Sequence, residues 1–376
     1  MPIHLPFFVD TLNSNLFPVV FSLPDERLFI AANRDAMIYD WKRNVETRLP
    51  QIPNGVRVTY PMAGSGLLLP LTHENNYTPE MLLCGGSSID DTRPSYDISS
   101  QEPASAQCSR LVLTERGISE GWKTEEMPQV RTMLDMVQLP TGQIVIVNGA
   151  GSGISGYGNV RDQVGKSNSD NPVLTPVLYD PTAPAGQRFS SEGMPTSDIP
   201  RMYHSSATLT PGGDIMIAGS NPNLDRSEER YGSEYRVEWL RPWYMGLGRS
   251  RPEIISRNSI RLPFGERTCL KVKMRQSLRE IQVALMDLGF VTHAVHANSR
   301  LVYLEVATGD PHELCVIGPP NGGVYPPGPG WLYVVVDGIP SQGVKVMVGD
   351  GKGPHVDHDA IENILRQTRT DKRSDE

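Results

Sequence analysis

One hairpin-sized unit recurs along the first part of the chain, and a sequence that repeats a single β-hairpin has few architectures open to it. Three copies run from Phe17 to Ala31, Met133 to Gly149 and Tyr203 to Gly219, and a looser one runs from Tyr60 to Gly86 with an insertion in its turn. In each, an alternating strand ends at Pro24, Pro70, Pro140 or Pro211, because proline has no N–H with which to continue a ladder. A short polar turn reverses the chain and a second alternating strand follows, usually closing on glycine, which together read as a β-hairpin. The copies begin at 17, 60, 133 and 203, so they are spaced by 43, 73 and 70 residues. Propeller blades of the WD40 and kelch kinds repeat at about 40–50 residues. The spacing therefore predicts about four Kelch-like blades, some with long inserted loops. A sandwich of similar hairpins is the competing architecture, and the shared Pro-turn-Gly pattern favours blades.

Beyond Arg251-Pro252 the repeat stops, and strands around Leu270–Met274, Ile281–Leu285, Leu301–Val306 and Trp331–Val336 alternate with turns at short spacing. This stretch reads as an immunoglobulin-like β-sandwich. The expected organisation is all-β: a propeller portion over 1–245, a sandwich over 250–350 and a polar tail over 351–376. Ile361, Ile364 and Leu365 allow the tail one amphipathic turn, and a disordered or weakly helical segment is expected there. Gly 35 and Pro 32 make up about 18 % of the 376 residues, against roughly 12 % ordinarily, and their even spread fits many tight turns. A formal charge of −8 offers no basic stripe for phosphates and argues against nucleic acid. No apolar run approaches the ~18–20 residues of a bilayer span. The segment Met1 to Phe8 lacks a charged start, an apolar stretch and a small-residue cleavage site, so no secretory signal is read there. The four cysteines, Cys84, Cys108, Cys269 and Cys315, form no CxxC pair, which makes zinc a poor expectation. Asn76-Tyr77-Thr78 is a lone glycosylation sequon, a weak signal by itself.

The segment Arg201-Met202-Tyr203-His204-Ser205-Ser206, continued by Thr210 to Asn223, resembles the copper-ligand blade of the glyoxal oxidase and galactose oxidase family of copper radical oxidases. Gly289 to His296 is similar to that family's sandwich loop, which enters the propeller axis. Asn76 to Gly86, Arg131 to Asp135 and Gly318 to Gly328 extend the likeness in family order, from about Leu16 to Gly349. The resemblance implies a propeller followed by an early-set sandwich, with one copper ion held by His204 and His293 as equatorial ligands. Tyr203 would be the axial ligand and base, and His296 is not a ligand by matched position. Nitrogen and oxygen donors of this kind suit Cu(II), and a metal-bound phenolate is a competent acceptor for a substrate hydroxyl proton. The activity implied is oxidation of aldehydes or simple primary alcohols by O₂ with release of H₂O₂, in a secreted monomer. Cys84 and Cys108 match the family's structural cysteines, which implies a disulfide between them.

The same resemblance implies a second tyrosine cross-linked to a cysteine, a pair that holds the second oxidising equivalent. No segment of this chain matches that pair, so an N-terminally truncated propeller portion with little or no oxidase activity of its own is expected. Tyr60, which opens a repeat without a cysteine motif beside it, reads as a blade-core or ring-edge tyrosine. The alternative function is a non-catalytic propeller-sandwich remnant acting as a binding or wall-associated protein. The spaced glycines from Gly149 to Gly158 have no helix after them and read as a flexible blade loop, not a nucleotide loop. His355, Asp357, His358 and Asp359 sit in the charged tail and read as solvated.

Overall fold

The computed structural model describes residues 4–224, 229–246, 248, 250–255, 260–273, 280–307, 313–353 and 356–367. Each of the four repeats becomes an antiparallel sheet. Blade I comprises Val19–Ser22, Leu28–Ala32, Asp35–Asp40 and Val45–Arg48 in consecutive order. Blade II comprises Gly64–Leu68, Glu80–Gly85, Gln107–Val112 and Lys123–Glu126. Blade III comprises Asp135–Gln138, Ile144–Val147, Val177–Tyr179 and Phe189–Ser190, and blade IV comprises Ser205–Leu209, Ile215–Gly219 and Glu238–Leu240. The first strands of neighbouring blades approach one another, I to II, II to III and III to IV, as inner strands around a propeller axis do.

The second unit is a sandwich. One sheet runs Glu253–Ile254, Arg267–Lys273, Glu313–Ile317, Val306–Ala307. The other runs Ile260–Leu262, Val344–Val348, Gly328–Val336, Ile281–Asp287, Arg300–Leu304, and then takes Leu71–Thr72 as a parallel edge strand. That last strand comes from the insertion in the second repeat, so the irregular turn of blade II is a strand lent to the sandwich. The other proline turns dock there too. Tyr303 donates its hydroxyl to the Pro140 carbonyl at 3.2 Å, Tyr333 donates to Thr210 at 3.3 Å, and Gly343 N–H donates to Pro211 at 2.8 Å. At the blade I turn, a Cβ on Gly323 would lie 2.3 Å from the Pro24 carbonyl oxygen, so only glycine fits. The proline turns that mark the repeat in sequence thus form the face on which the sandwich sits, and one buried cluster runs through both units, from Val19 and Leu67 to Leu285 and Val316.

From this sandwich a two-stranded hairpin, Phe290–Thr292 paired with Val295–Ala297, rises between the blades. Val295–Ala297 meets the inner strands of blades I, II and III, and Phe290–Thr292 meets that of blade IV. Phe290 stays 59 % exposed. Two disulfides close directly opposed strand positions: Cys84 to Cys108 in blade II and Cys269 to Cys315 in the sandwich. The second pair was not anticipated from spacing, because its partners lie 46 residues apart in sequence and meet only through sheet pairing.

One expectation needs correction. The glycine-rich segment is not a flexible loop: Ala150–Tyr157 is a strand paired antiparallel with Ser167–Pro172. Its glycines admit a close neighbour, since a Cβ on Gly153 would lie 2.3 Å from the Asn168 carbonyl oxygen. Of the two states expected for the tail, His358–Gln367 takes the helical one and extends it beyond a single turn. Asp357 accepts the Ala360 N–H at 2.9 Å as an N-cap, Ala360 and Ile364 are buried, and Asn363 reaches the Lys42 carbonyl of blade I. His355 lies outside the described residues.

Candidate metal centre

The four residues that open the repeats, Phe17, Tyr60, Met133 and Tyr203, all end at the axis. Tyr60, Met133 and Tyr203 share one apolar cluster with Ala63, Ala150, Met202, Tyr157 and Ala294 of the hairpin. Tyr203 is 8 % exposed. Its ring lies 3.8 Å from that of His204 at 29°, and 5.7 Å from that of His293 at 68°. His204 itself follows Tyr203 in the left-handed conformation, φ 63°. Phe17 at 53° and Met133 at 57° do the same before the inner strands of blades I and III.

His293 and Ala294 are the two turn residues of the hairpin, with φ 51° and 65°. Positive φ at both central positions is the type I′ turn, for which Asn-Gly is the usual choice. Each left-handed non-glycine residue costs roughly 1–2 kcal/mol, and such strain persists where surrounding packing over-determines it, often at functional sites. The buried Ala294 methyl, 6 % exposed in the axial cluster, supplies part of that packing.

The result is that two imidazoles from distant parts of the chain converge, with His204 Nε2 and His293 Nε2 3.2 Å apart. Both keep an exposed side. Burial of the remainder pushes the pKa of each imidazole below its usual value, and the charge of His204 adds to the effect on His293. Neutral rings with lone pairs to offer are the outcome. Each ring is also held from its far side. His204 is hydrogen-bonded to the main chain of Asn221, and His293 Nδ1 meets Thr292 Oγ1 at 2.7 Å. Tyr203 shares a hydrogen bond with the Tyr60 hydroxyl, and burial first, then Tyr60 and Tyr157, push its phenol pKa well above the ordinary value.

These donors fit copper. Two imidazole nitrogens 3.2 Å apart are near enough to reach one ion, and nitrogen donors beside a phenol oxygen are of the type that suits Cu(II). Among the described residues no group of three His, Cys, Asp or Glu gathers to hold a metal, and the phenol of Tyr203 packs against both imidazoles. Tyr203, His204 and His293 are brought together. His296 is not, being 3 % exposed with its ring nitrogens on the carbonyls of Met136 (3.1 Å) and Leu288 (2.8 Å). Tyr60, read from sequence as a blade-core or ring-edge tyrosine, reaches the site through its hydroxyl. Phe17, whose ring stacks on His293 at 3.7 Å, and Tyr157, 6.1 Å from Tyr203, were missed. The signal for Phe17 was present, since it opens a repeat as Tyr203 does.

A set of propeller blades, capped by a sandwich that sends a histidine-tipped hairpin up the axis, defines a class of β-propeller proteins. Comparison with known proteins places it further. The family described as "Glyoxal oxidase N-terminus" matches residues 2–244, and "Galactose oxidase-like, Early set domain" matches residues 251–348. The chain belongs to the glyoxal oxidase and galactose oxidase-like family. It is 33 % identical over 356 residues to aldehyde oxidase GLOX1 of Arabidopsis thaliana, covering 90 % of this chain and 56 % of that protein. It is 34 % identical over 353 residues to aldehyde oxidase GLOX of Vitis pseudoreticulata, covering 90 % and 64 %. The chain thus spans about three-fifths of the length of these relatives. A fungal alcohol oxidase of the AA5 family, solved in complex with copper, shares the fold with a TM-score of 0.60 at 17 % identity, over 89 % of this chain and 75 % of that one.

Proposed function

We propose that Tyr203, His204 and His293 hold one copper ion and that the chain supplies the copper-binding part of an oxidase acting on aldehydes or simple primary alcohols, with O₂ as electron acceptor and H₂O₂ as product. The observation that carries this reading is the 3.2 Å approach of two neutral imidazoles beside a phenol. Bound copper would supply a one-electron acceptor and a Lewis acid at that point. The two Nε2 atoms would bind and orient, while Thr292 and the Asn221 main chain hold the far side of each ring. With copper bound, Tyr203 would release its own phenolic proton to solvent and could then accept the substrate hydroxyl proton at that oxygen, which Tyr60 keeps in a hydrogen bond. The aromatic rings of Phe17, Tyr60 and Tyr157 exclude water from one side.

Substrate oxidation removes two electrons, and a single copper takes one. All four cysteines of this chain are in disulfides, so none is free to cross-link a tyrosine as the second acceptor. The chain by itself is therefore proposed to bind copper without turning over substrate. The two disulfides support an oxidising compartment. Among the described residues no helix is long and apolar enough to cross a membrane, and the similarity to aldehyde oxidases supports a small-molecule substrate.

Isothermal titration of the full chain with Cu(II) tests the reading, with oxygen uptake on glyoxal measured in parallel. One copper per chain is expected, with affinity at least tenfold weaker in His204→Ala and in His293→Ala and no oxygen uptake. Equal copper affinity in wild type and both variants would sink the metal site and favour the non-catalytic reading. Oxygen uptake abolished by His204→Ala would overturn the inactivity.

A further inference from the structure

We infer that Phe17 is a positioning residue for this metal centre, its ring lying flat on the His293 imidazole and fixing the plane in which Nε2 is presented. The inference rests on the copper reading above and adds a residue to it. The two rings stack with centroids 3.7 Å apart and planes 5° from parallel. The hydrogen bond between His293 Nδ1 and Thr292 Oγ1 holds one edge of the imidazole but leaves the ring free to tilt about that edge. A parallel aromatic face removes the tilt.

The backbone of Phe17 gives an independent indication. Its φ is 53°, in a region where a bulky residue is an outlier and where strain is retained only when something over-determines it. Burial of the ring is not that something, because Phe17 is 39 % exposed. What the strained conformation achieves is placement. The same left-handed step before the inner strand points Met133 into the axial cluster and brings His204 to His293. In blade I it lays an aromatic ring on the hairpin tip. The other contact of Phe17 is edge-on to Tyr60, at 5.9 Å and 81°, and Tyr60 is hydrogen-bonded to Tyr203. Phe17 therefore bridges the imidazole delivered by the sandwich and the phenol pair delivered by the propeller, the two parts that must be in register at one ion.

The test uses the full chain and the variants Phe17→Leu, Phe17→Gly and Phe17→Tyr. In metal-free protein, the His293 Cε1–H proton signal, assigned with His293→Asn, is expected to be shifted upfield by the ring current. The shift should persist in Phe17→Tyr and vanish in Phe17→Leu and Phe17→Gly. In Cu(II) titrations, Phe17→Leu and Phe17→Gly should bind about threefold to tenfold more weakly, the size of one aromatic contact, and Phe17→Tyr should match wild type. Glycine relaxes the left-handed backbone, so the urea midpoint of Phe17→Gly should not fall below that of wild type. A merely structural ring would show the reverse, a lowered midpoint with copper affinity intact. An unshifted His293 signal in wild type, or copper uptake indifferent to the loss of the ring, overturns this inference alone. A wild-type chain that takes up no copper overturns the copper reading and this inference with it.

Discussion

Replacing Arg300 by methionine should loosen the joint between propeller, sandwich and hairpin, because one buried side chain ties all three. Arg300 is 4 % exposed and opens the strand that follows the hairpin. Its Nη1 donates to the carbonyls of Gly323 at 2.9 Å and Val324 at 2.7 Å in a sandwich loop. Its Nη2 donates to the Ser22 carbonyl and, at 2.9 Å, to Ser22 Oγ at the end of the first strand of blade I. Methionine keeps the apolar stem but leaves three carbonyls without donors, at about 1–3 kcal/mol each. Against this stands the relief of a buried charge. Burial pushes the guanidinium pKa from 12.5 to about 10, equivalent to roughly 3 kcal/mol. The net expected loss is about 3 kcal/mol, read as a lower urea midpoint by tryptophan fluorescence. Arg300→Lys should not rescue it, since an ammonium has no planar fork to share between two loops. A midpoint for Arg300→Met within about 0.5 kcal/mol of wild type, the scatter of an ordinary surface change, would refute the view that this residue joins the units.

Asp135 is 2 % exposed and, among the described residues, accepts one side-chain hydrogen bond, from Asn148 at 2.7 Å, and burial pushes its carboxyl up to about 7. A raised acid holds its proton in the folded form, so stability falls as pH rises from the ordinary carboxyl range through 7. Asp135→Asn should therefore stabilise the chain at pH 8, by roughly 2–4 kcal/mol, with the difference shrinking toward pH 4 in urea titrations. The histidines act in the opposite sense. Burial lowers the pKa values of His204, His293 and His296, so the stability they contribute is complete above their ordinary value and declines as pH falls below about 6.5, which urea midpoints between pH 7 and 5 will register. Thiol titration of unreduced, denatured protein should find no free thiol, and the double change Cys269→Ser with Cys315→Ser should cost about 2–4 kcal/mol.

The blades were legible because proline and glycine act locally: Pro24, Pro140 and Pro211 stop a strand wherever the fold places it. The role of those turns as the sandwich's docking face was not, since Tyr303 and Tyr333 lie far along the chain and nothing in their neighbourhood names a partner. Ala150–Tyr157 was misread for the same reason. Its glycines look like freedom in one dimension, and only pairing with Ser167–Pro172 turns them into space for a neighbouring backbone. The amphipathic spacing of Ile361 and Ile364 hinted at the tail helix, but its stability comes from contact with blade I, which composition does not reveal. At the site, Tyr203, His204 and His293 stood out through the resemblance of their segments. Phe17 and Tyr60 carry no such segment, and their importance appears only when the openings of all four repeats are seen to meet at one axis.

The central claim is that two imidazoles from the propeller and the sandwich meet on a single ion. Pulsed electron paramagnetic resonance of the Cu(II)-loaded chain counts coordinated imidazoles through their remote nitrogens. Two are predicted in wild type and one in each of His204→Ala and His293→Ala. A spectrum showing one imidazole or none in wild type, or two that survive either substitution, would contradict the account.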